Sequence, residues 1–350
     1  MHAGPDGHAR PAKLLASSLR HAPPDGRLAT MTPTPVIMDV DTGIDDAFAL
    51  MLAVRHPDVD LRAVTCVGGN TGVDQVVANT CYVLDAAGAG EIPLGRGASA
   101  PLLAHPADAG RFHGGDGLGG FSRQSDRRID RRSAIDLLRH ELSSAVATGD
   151  PITVVATAPL TNIALLLRAH PEVAAGIERL VFMGGSAGSG NVTAAAEHNV
   201  FHDPEAAAIT LAAVRDLDIP TTMYGLDVFG QVLVDRSDAD RLATYLDPVC
   251  QLAAALIRAR CTLLDVDAIT IGDAGTVCAV ADPDGLTTRP YPVRVETGFG
   301  YSRGQTLVDR REAPVDRVRL PGWGAATTVD VAEHVDARGY ADLWVRTLLG

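Results

Sequence analysis

The sequence is nearly free of lysine: Lys13 is the only one among its 350 residues. Arginine therefore supplies almost all the basic charge, and 43 acidic against 30 basic residues give a formal net charge of -13. A surface that binds nucleic acid needs an excess of basic side chains to face the phosphates. The composition thus argues against nucleic acid as a partner. It leaves two explanations for the acidity, namely solubility or a bound divalent cation.

Long apolar runs and paired cysteines are also missing. No run has the length needed to cross a membrane, and residues 1–30 lack the apolar stretch of a signal peptide. The five cysteines form no Cys-x-x-Cys pair and lie mostly in apolar runs, as buried reduced cysteines do. We therefore expect a cytoplasmic protein without a membrane partner, in which residues 1–32 form a disordered extension and 33–350 a single domain.

Strand-like apolar segments alternate with helical ones from Pro35 onward, which predicts an α/β fold. In such a fold a mostly parallel central sheet carries helices on both faces. The carboxyl ends of its strands lie along one edge, where open α/β sheets bind ligands. The predicted strands are 36–38, 61–67, Ile152–Ala156, 180–183 and Thr221–Tyr224, and the first predicted helices are 47–55 and 73–87.

Other segments have less regular patterns. Residues 97–131 are rich in Gly, His and Asp without periodicity, which is typical of a long functional loop. We expect helical structure over 236–264, antiparallel strands within 291–320 and a final helix over 336–349.

An acidic cluster follows the first predicted strand. Asp39, Asp41, Asp45 and Asp46 place four carboxylates within eight residues, and Gly43 permits a turn between them. Burying so many like charges without compensation costs several kcal/mol each, so a hard divalent cation is their natural partner. Asp45 and Asp46 could instead cap the next helix, but capping requires only one or two carboxylates.

An Asp-x-Asp pair after a first strand also opens the haloacid dehalogenase-like phosphatases. That pattern has Thr or Val two residues after the second Asp, where this chain has Gly43. It also uses a downstream lysine to hold phosphate, and this chain has none after Lys13. The phosphatase interpretation fails on both counts.

The sequence resembles the inosine-uridine preferring nucleoside hydrolase family, whose first motif is Asp-x-Asp-Pro-Gly-x-Asp-Asp. Here Thr42 replaces the proline, and further family motifs follow in order from about residue 35 to the C-terminus. The resemblance implies a Rossmann-like nucleoside hydrolase fold and a homodimer or homotetramer. The matching segments include Val67-Gly68-Gly69-Asn70, His113-Gly114-Gly115-Asp116, Thr157-Ala158-Pro159-Leu160-Thr161-Asn162, Gly190-Asn191-Val192, Glu197-His198-Asn199 and Asp273.

The resemblance also implies roles for individual residues. Asp41, Asp46, the Thr157 carbonyl and Asp273 would bind calcium, and all offer the oxygen ligands that this cation prefers. Asp41 would in addition act as general base toward the attacking water.

The ribose would be held by a second set of matching residues. Asp45 and Asn70 would bind its hydroxyls near the metal, and Asn191, Glu197 and Asn199 would surround the 5′-hydroxyl and ring oxygen, with Asn191 counted among the catalytic residues. Taken alone, Asn70 and Asn191 look like turn residues, and Glu197 and Asn199 like one face of a strand. Asp39 is expected to orient its neighbours.

The chain departs from the family where the leaving base would be protonated. Many members have His or Trp directly before the last metal-binding Asp, whereas this chain has Gly272, which can neither donate a side-chain proton nor stack on a base. His113 is the leading substitute, as a substrate-binding residue near the base. The next candidates for this role are His198, Tyr301 and Arg303. Phe229 and Gly230 occupy positions where the family often has Thr-His.

Two functions therefore remain open at the level of sequence. The first is calcium-dependent hydrolysis of the N-glycosidic bond of a ribonucleoside or related ribosyl compound. The alternative is a catalytically impaired protein that binds ribose or nucleoside, which Gly272, Thr42 and Ala158 favour. The charged residues, which a mere binder would be free to lose, favour the enzyme.

Overall fold

Strand β1 (Thr34–Val40) lies inside a large sheet and faces apolar layers on both sides. Val36, Met38 and Val40 belong to one hydrophobic core, while Ile37 belongs to the core on the opposite face. A strand that is apolar on both faces needs helices above and below the sheet. The computed structural model describes residues 32–103, 114–312 and 324–350.

Helices and short strands alternate through the first two thirds of the chain. The strands are β2 (Val59–Cys66), β3 (Leu94–Arg96), β4 (Ile152–Ala156), β5 (Ile177–Met183), β6 (Thr221–Tyr224) and β7 (Leu233–Asp235). The helices are α1 (Ile44–Arg55), α2 (Val73–Ala86), α3 (Ala134–Thr148), α4 (Thr161–Ala169), α5 (His198–His202), α6 (Pro204–Asp216), α7 (Leu226–Phe229) and α8 (Arg236–Ala243).

The last third adds antiparallel strands and closes with a helix. Its elements are α9 (Pro248–Leu264), β8 (Ala268–Thr270), α10 (Ala274–Ala281), β9 (Leu286–Val295), β10 (Thr306–Val308), β11 (Thr327–Val335) and α11 (Ala337–Leu349). Short 3₁₀ helices cover Pro171–Gly176 and Pro283–Gly285.

The order of strands creates a switch point beside β1. In the described residues the main sheet runs β10-β9-β11-β6-β5-β4-β1-β2-β3, and β7 pairs with β8 in a separate ribbon. From β1 the chain moves to β2 and β3 on one side and then crosses to β4 on the other, all in parallel. Connections therefore leave in opposite directions at the carboxyl ends of β1 and β4. A crevice opens at such a point, and ligands bind there in open α/β sheets.

The predicted fold class is confirmed. The sheet is parallel from β3 to β11, and β9 and β10 add the antiparallel edge expected within 291–320; residues 313–323 lie outside the described part. Residues 236–264 are helical as expected, apart from a short break. The helix stops after Ala243, and a second begins at Pro248, whose missing N–H suits a first turn and whose predecessor Asp247 caps it by accepting from the Val249 N–H.

Residues Pro33–Gly350 form one compact unit. The extension expected at 1–32 lies outside the described residues except for Thr32. Within the described residues, no helix combines the length and apolarity that crossing a membrane would require.

Helix α11 packs against helix α1, which begins within the acidic cluster. Trp344 is fully buried, its ring meets Phe48 of α1 edge to face with centroids 5.0 Å apart, and its Nε1–H donates to the Phe48 carbonyl at 3.0 Å. An aromatic pair with a satisfied indole N–H combines a large buried apolar area with a polar anchor.

We expect Trp344→Ala to lower the free energy of unfolding by about 3–5 kcal/mol, because it leaves a cavity and removes the hydrogen bond from the indole N–H. Urea unfolding followed by circular dichroism measures the change. Leu246→Ala is the control, since Leu246 is 93% exposed and should shift the value by less than about 0.5 kcal/mol. Equal effects of the two substitutions would contradict this role of Trp344.

Candidate active site

A cavity opens at the carboxyl edge of the parallel strands, next to the switch point. Most residues that the sequence analysis singled out line it, although they come from segments far apart in the chain. Phe229, Met183 and Arg260 line it as well and had no assigned role there. The lining consists of Asp45, Asn70, Thr157, Met183, Asn191, Glu197, His198, Asn199, Phe229, Arg260 and Asp273.

Asp41 and Asp46 lie behind this lining and are tied to it by Asn70. The Asn70 backbone N–H donates to Asp41 Oδ2 at 2.7 Å, and its side-chain amide donates to Asp46 Oδ2 at 3.3 Å. The approach depends on Gly69, because a Cβ there would overlap the Asp41 carboxylate. The loop after β2 therefore holds two predicted metal ligands in place.

Asp46 also has the capping role considered from the sequence. Its Oδ2 accepts from the Gly43 N–H at 3.0 Å, and its Oδ1 accepts from the Thr157 hydroxyl at 2.7 Å. Asp46 thus joins the start of α1 to the loop after β4. Capping and metal binding are compatible, since a carboxylate offers about four lone-pair directions.

The Thr157 carbonyl and Asp273 complete the predicted metal set from the other side. The Asn199 amide donates to the Thr157 carbonyl at 2.8 Å, which fixes the peptide and leaves the oxygen a second lone pair. Asp273 is 5% exposed, stands directly before α10 and lines the cavity. The backbone N–H groups at the start of that helix favour a negative charge there.

The carboxylates of this region repel one another in a dry environment. Burial, and then the charge of Asp46, raise the pKa of Asp41 and of Asp273 well above the usual range. Burial raises the pKa of Asp46 to about 6 despite the hydrogen bond from Thr157. For Asp273 the charges of Asp45 and Asp41 add to the effect. The Cβ position of the adjacent Gly272 lies 2.8 Å from the Asp45 carboxyl carbon, so the distant loop lies against the acidic cluster.

These residues suit a hard cation in their chemistry. They offer carboxylate and carbonyl oxygens, which bind calcium, and their charges lack compensation. The charge of Asp45, which is not in the metal set, is balanced by an ion pair with Arg260. Within the residues described, no three acidic, histidine or cysteine side chains already stand as a metal cage. The metal set therefore remains a prediction that the donor chemistry favours.

Asp39 is separate from the cavity. Its Oδ1 accepts from Thr65 at 2.6 Å and from Asn162 at 2.8 Å, and these bonds tie the end of β1 to β2 and to the start of α4. Its Oδ2 is buried without a hydrogen-bond partner among the described residues, and burial raises the pKa of Asp39 to about 7. This geometry matches the expected orienting role.

Glu197 lies in the part of the cavity formed by the segment before α5 and holds the backbone there through hydrogen bonds. Its carboxylate accepts from the backbone N–H groups of Gly185 at 2.9 Å, Asn199 at 2.8 Å and Val200 at 3.1 Å, so it also caps α5. Asn191 is exposed at the rim. Glu197, Asn199 and Asn191 thus meet at one end of the cavity, where a sugar hydroxyl would find both donors and acceptors.

Gly272 is fixed by its surroundings. It has a φ of +53°, and a Cβ would lie 2.8 Å from both the Asp45 carboxyl carbon and the Phe229 ring. Any side chain here would adopt a strained backbone conformation and collide with two cavity residues. The space that a catalytic histidine would need is therefore filled by Phe229 and Asp45.

The other expected proton donors are poorly placed or uncharged. Burial, and then the neighbouring His202, lower the pKa of His198 to about 4, so its imidazole is neutral near pH 7. Tyr301 and Arg303 do not line the cavity; Tyr301 is fully exposed, and Arg303 is paired with Glu205 at 2.9 Å. His113 lies outside the described residues.

Sequence analysis missed Arg260. It follows Leu256 and Ile257 at helical spacing on the apolar face of α9, and it is 7% exposed. An arginine on an otherwise apolar helical face is a signal for a buried carboxylate partner. The sequence did not reveal that the partner would be Asp45, 215 residues away.

Comparison with known proteins supports the resemblance. The family model described as inosine-uridine preferring nucleoside hydrolase matches residues 36–342. The pyrimidine-specific ribonucleoside hydrolase RihA of Shewanella sp. (strain MR-7) is 35% identical over 320 residues, covering 90% of this chain and 96% of that protein.

Solved structures agree with the fold. A plant nucleoside hydrolase, the PpNRh1 enzyme, superposes with a TM-score of 0.81 at 31% identity, covering 90% of this chain and 99% of that one. A purine-preferring ribonucleoside hydrolase from Gardnerella vaginalis gives 0.79 at 27% identity, covering 90% and 98%. The name of the Gardnerella enzyme specifies purines, whereas that of the Shewanella relative specifies pyrimidines.

We expect Gly272→Ala to destabilise the protein by about 2 kcal/mol or more, through left-handed strain and the clash with Asp45 and Phe229. Gly272→His should likewise lose activity rather than gain it. Thermal unfolding and nucleoside hydrolysis measure both effects. The control is Gly230→Ala, since Gly230 has a negative φ and open space around its Cβ position. Higher activity in Gly272→His would contradict the conclusion that Asp45 and Phe229 leave no room for a histidine at this position.

Proposed function

The chain belongs to the inosine-uridine preferring nucleoside hydrolase family, and from that premise we propose that it hydrolyses the N-glycosidic bond of a ribonucleoside or related ribosyl compound in a calcium-dependent reaction. Its class, a hydrolase acting on N-glycosyl compounds, follows from the family. The proposal is carried by one observation: Asp273, from a loop distant in the sequence, lines the same cavity as Asp45 and Thr157, and the Cβ position of its neighbour Gly272 lies 2.8 Å from the Asp45 carboxyl carbon.

The carboxylates of Asp41, Asp46 and Asp273 and the Thr157 carbonyl would hold the ion. When bound, calcium would grip two ribose hydroxyls and make a nearby water more acidic. The cluster supports calcium over a softer metal because it supplies oxygen atoms rather than sulfur or imidazole nitrogen.

The side chains of the cavity would activate the water and hold the ribose. Asp41 takes the proton of the attacking water as general base. Asp45 and Asn70 accept and donate hydrogen bonds to the ribose hydroxyls, while Glu197 and Asn199 hold the 5′-hydroxyl end of the sugar.

The anionic character of the cavity stabilises the positive charge that develops on the sugar as the glycosidic bond breaks. Asn191, at the rim, acts beside the ring oxygen. These roles explain why so many acidic and amide groups meet in one cavity whose lining otherwise contributes few apolar side chains, Met183 and Phe229.

Several finer statements belong to the same proposal. Residues 33–350 form a single catalytic domain, the enzyme acts in the cytoplasm, and it assembles as a homodimer or homotetramer. Its partner is a small nucleoside or riboside rather than a nucleic acid or a membrane. His113, although outside the described residues, is proposed to lie near the base.

Asp41→Asn should reduce kcat by about 10²–10⁴-fold, because the amide cannot take a proton from water. Ribose binding, measured by calorimetry with calcium present, should survive. Asp74→Asn provides the control, since Asp74 is exposed on α2 and pairs with Arg96 away from the cavity. Undiminished turnover in Asp41→Asn would remove the residue from this role.

Calcium should stabilise the protein more at pH 8 than at pH 6.5. Burial raises the pKa of Asp39 to about 7 and that of Asp46 to about 6, and it raises the pKa values of Asp41 and Asp273 well above the usual range. The folded protein therefore binds more protons than the unfolded one, and metal-free stability falls as the pH rises through these values. His198 and His202 have lowered pKa values and contribute little above pH 6.5, the ordinary value for histidine.

The measurement is the melting temperature with chelator and with excess calcium at both pH values. Calcium binds only the folded, deprotonated site, so its effect should grow as protons leave. Asp46→Asn should shrink the calcium-induced shift at both values. A shift of equal size at pH 6.5 and pH 8, or none at either, would contradict the proposed site.

A further inference from the structure

Arg260 is the cationic side chain of the cavity lining. It lies on α9, is 7% exposed, and its Nη1 donates to Asp45 Oδ1. The Arg260 Nε–H is buried and has no hydrogen-bond partner among the described residues. A guanidinium has five N–H donors, so this one is far from saturated by the protein.

The donors that can meet a ligand are those of the terminal nitrogens. Among the described residues Nη1 donates to Asp45, whereas Nη2 has no hydrogen-bond partner and, unlike Nε, is not fully buried. Neutralising Asp45 does not by itself require a guanidinium, because the compact charge of a lysine would serve. The fork of donors instead suits an acceptor oxygen that enters the cavity with a ligand.

The position of Arg260 identifies which part of the ligand it meets. Asp45 lies against Gly272, the position at which many family members place the group that protonates the leaving base. A guanidinium that pairs with Asp45 therefore lies on the side of the cavity where the base would leave under the proposed function. Beside Asp45, Gly272 leaves no room for a side chain and Phe229 contributes only an apolar ring. His198, which also lines the cavity, is neutral near pH 7.

We propose that Arg260 is a catalytic residue that donates hydrogen bonds to a carbonyl oxygen of the departing base, and that it thereby selects bases with a carbonyl next to the glycosidic nitrogen, as in 2-oxopyrimidine nucleosides. This inference rests on the proposed function and names its substrate class.

The step balances without a general acid at position 272. Water attacks the anomeric carbon and its proton passes to Asp41, while the electron pair of the breaking C–N bond moves onto the base. The base leaves as an anion whose negative charge is shared with its carbonyl oxygen, where the guanidinium stabilises it. After release, the base takes a proton from solvent, and Asp41 returns its proton to solvent.

The test compares two substrates with different needs. Uridine has a poor leaving group with the required carbonyl, whereas 4-nitrophenyl riboside releases a stable anion that lacks it. In the calcium-loaded full chain, Arg260→Met should lower kcat for uridine by about 10²–10³-fold, the usual effect of losing one donor to a developing anion. For 4-nitrophenyl riboside the loss should be below about 10-fold.

Two further variants keep the test decisive. Arg260→Lys preserves a positive charge beside Asp45, so it guards against misfolding, and it should lose an intermediate amount on uridine with little change on the nitrophenyl substrate. Arg258→Met is the matched control, because Arg258 stands on the same helix, is half exposed and pairs with Asp240. It should hydrolyse both substrates like the unmodified protein.

Equal losses on both substrates in Arg260→Met and Arg260→Lys would overturn the inference, because Arg260 would then act only by positioning Asp45. Unchanged uridine hydrolysis would overturn it as well. If the unmodified protein hydrolyses neither substrate, the proposed function itself fails and the inference with it. A preference for uridine over inosine that shrinks in Arg260→Met would support the substrate class.

Discussion

Six carboxylates crowd the carboxyl edge of the sheet and are nearly excluded from water: Asp39, Asp41, Asp45, Asp46, Glu197 and Asp273 are each 5% exposed or less. Their mutual repulsion is the constraint on which the rest of this site depends. Most of them are met by backbone or side-chain donors, as when Glu197 accepts three backbone N–H groups. Those hydrogen bonds orient the carboxylate oxygens but do not neutralise their negative charge. The remaining charge favours a bound cation at this site.

The sheet makes this concentration of charge possible. Because β1 lies between β2 and β4, loops that follow all three strands meet at one edge. Asn70 from the loop after β2 and Thr157 from the loop after β4 each contact Asp46. Asp273 arrives with α10, which packs against α1, and so the acidic residues are held by several rigid elements rather than by a single loop.

The side of the cavity around Gly272 differs from what the resemblance implies. Many family members have a proton-donating side chain at this position, whereas here Phe229 and Asp45 occupy the space that a side chain would need. Similar proteins bear names that specify pyrimidines in one case and purines in another, although the fold is shared. A shared fold leaves base preference to local side chains, and the proposal above assigns it to Arg260, the residue that pairs with Asp45.

The sequence alone determined the fold class, the family and the acidic turn, because those depend on local patterns: the alternation of apolar segments and the dense order of motifs after β1. It predicted helical structure over 236–264 but not the break between Ala243 and Pro248. Only the tertiary structure decided that Arg260 faces Asp45, that Gly272 has no room for a side chain, and that His198 is buried and neutral. Each of these is a contact between residues distant in the chain, or a burial set by several elements at once, and neither leaves a periodic trace in the sequence.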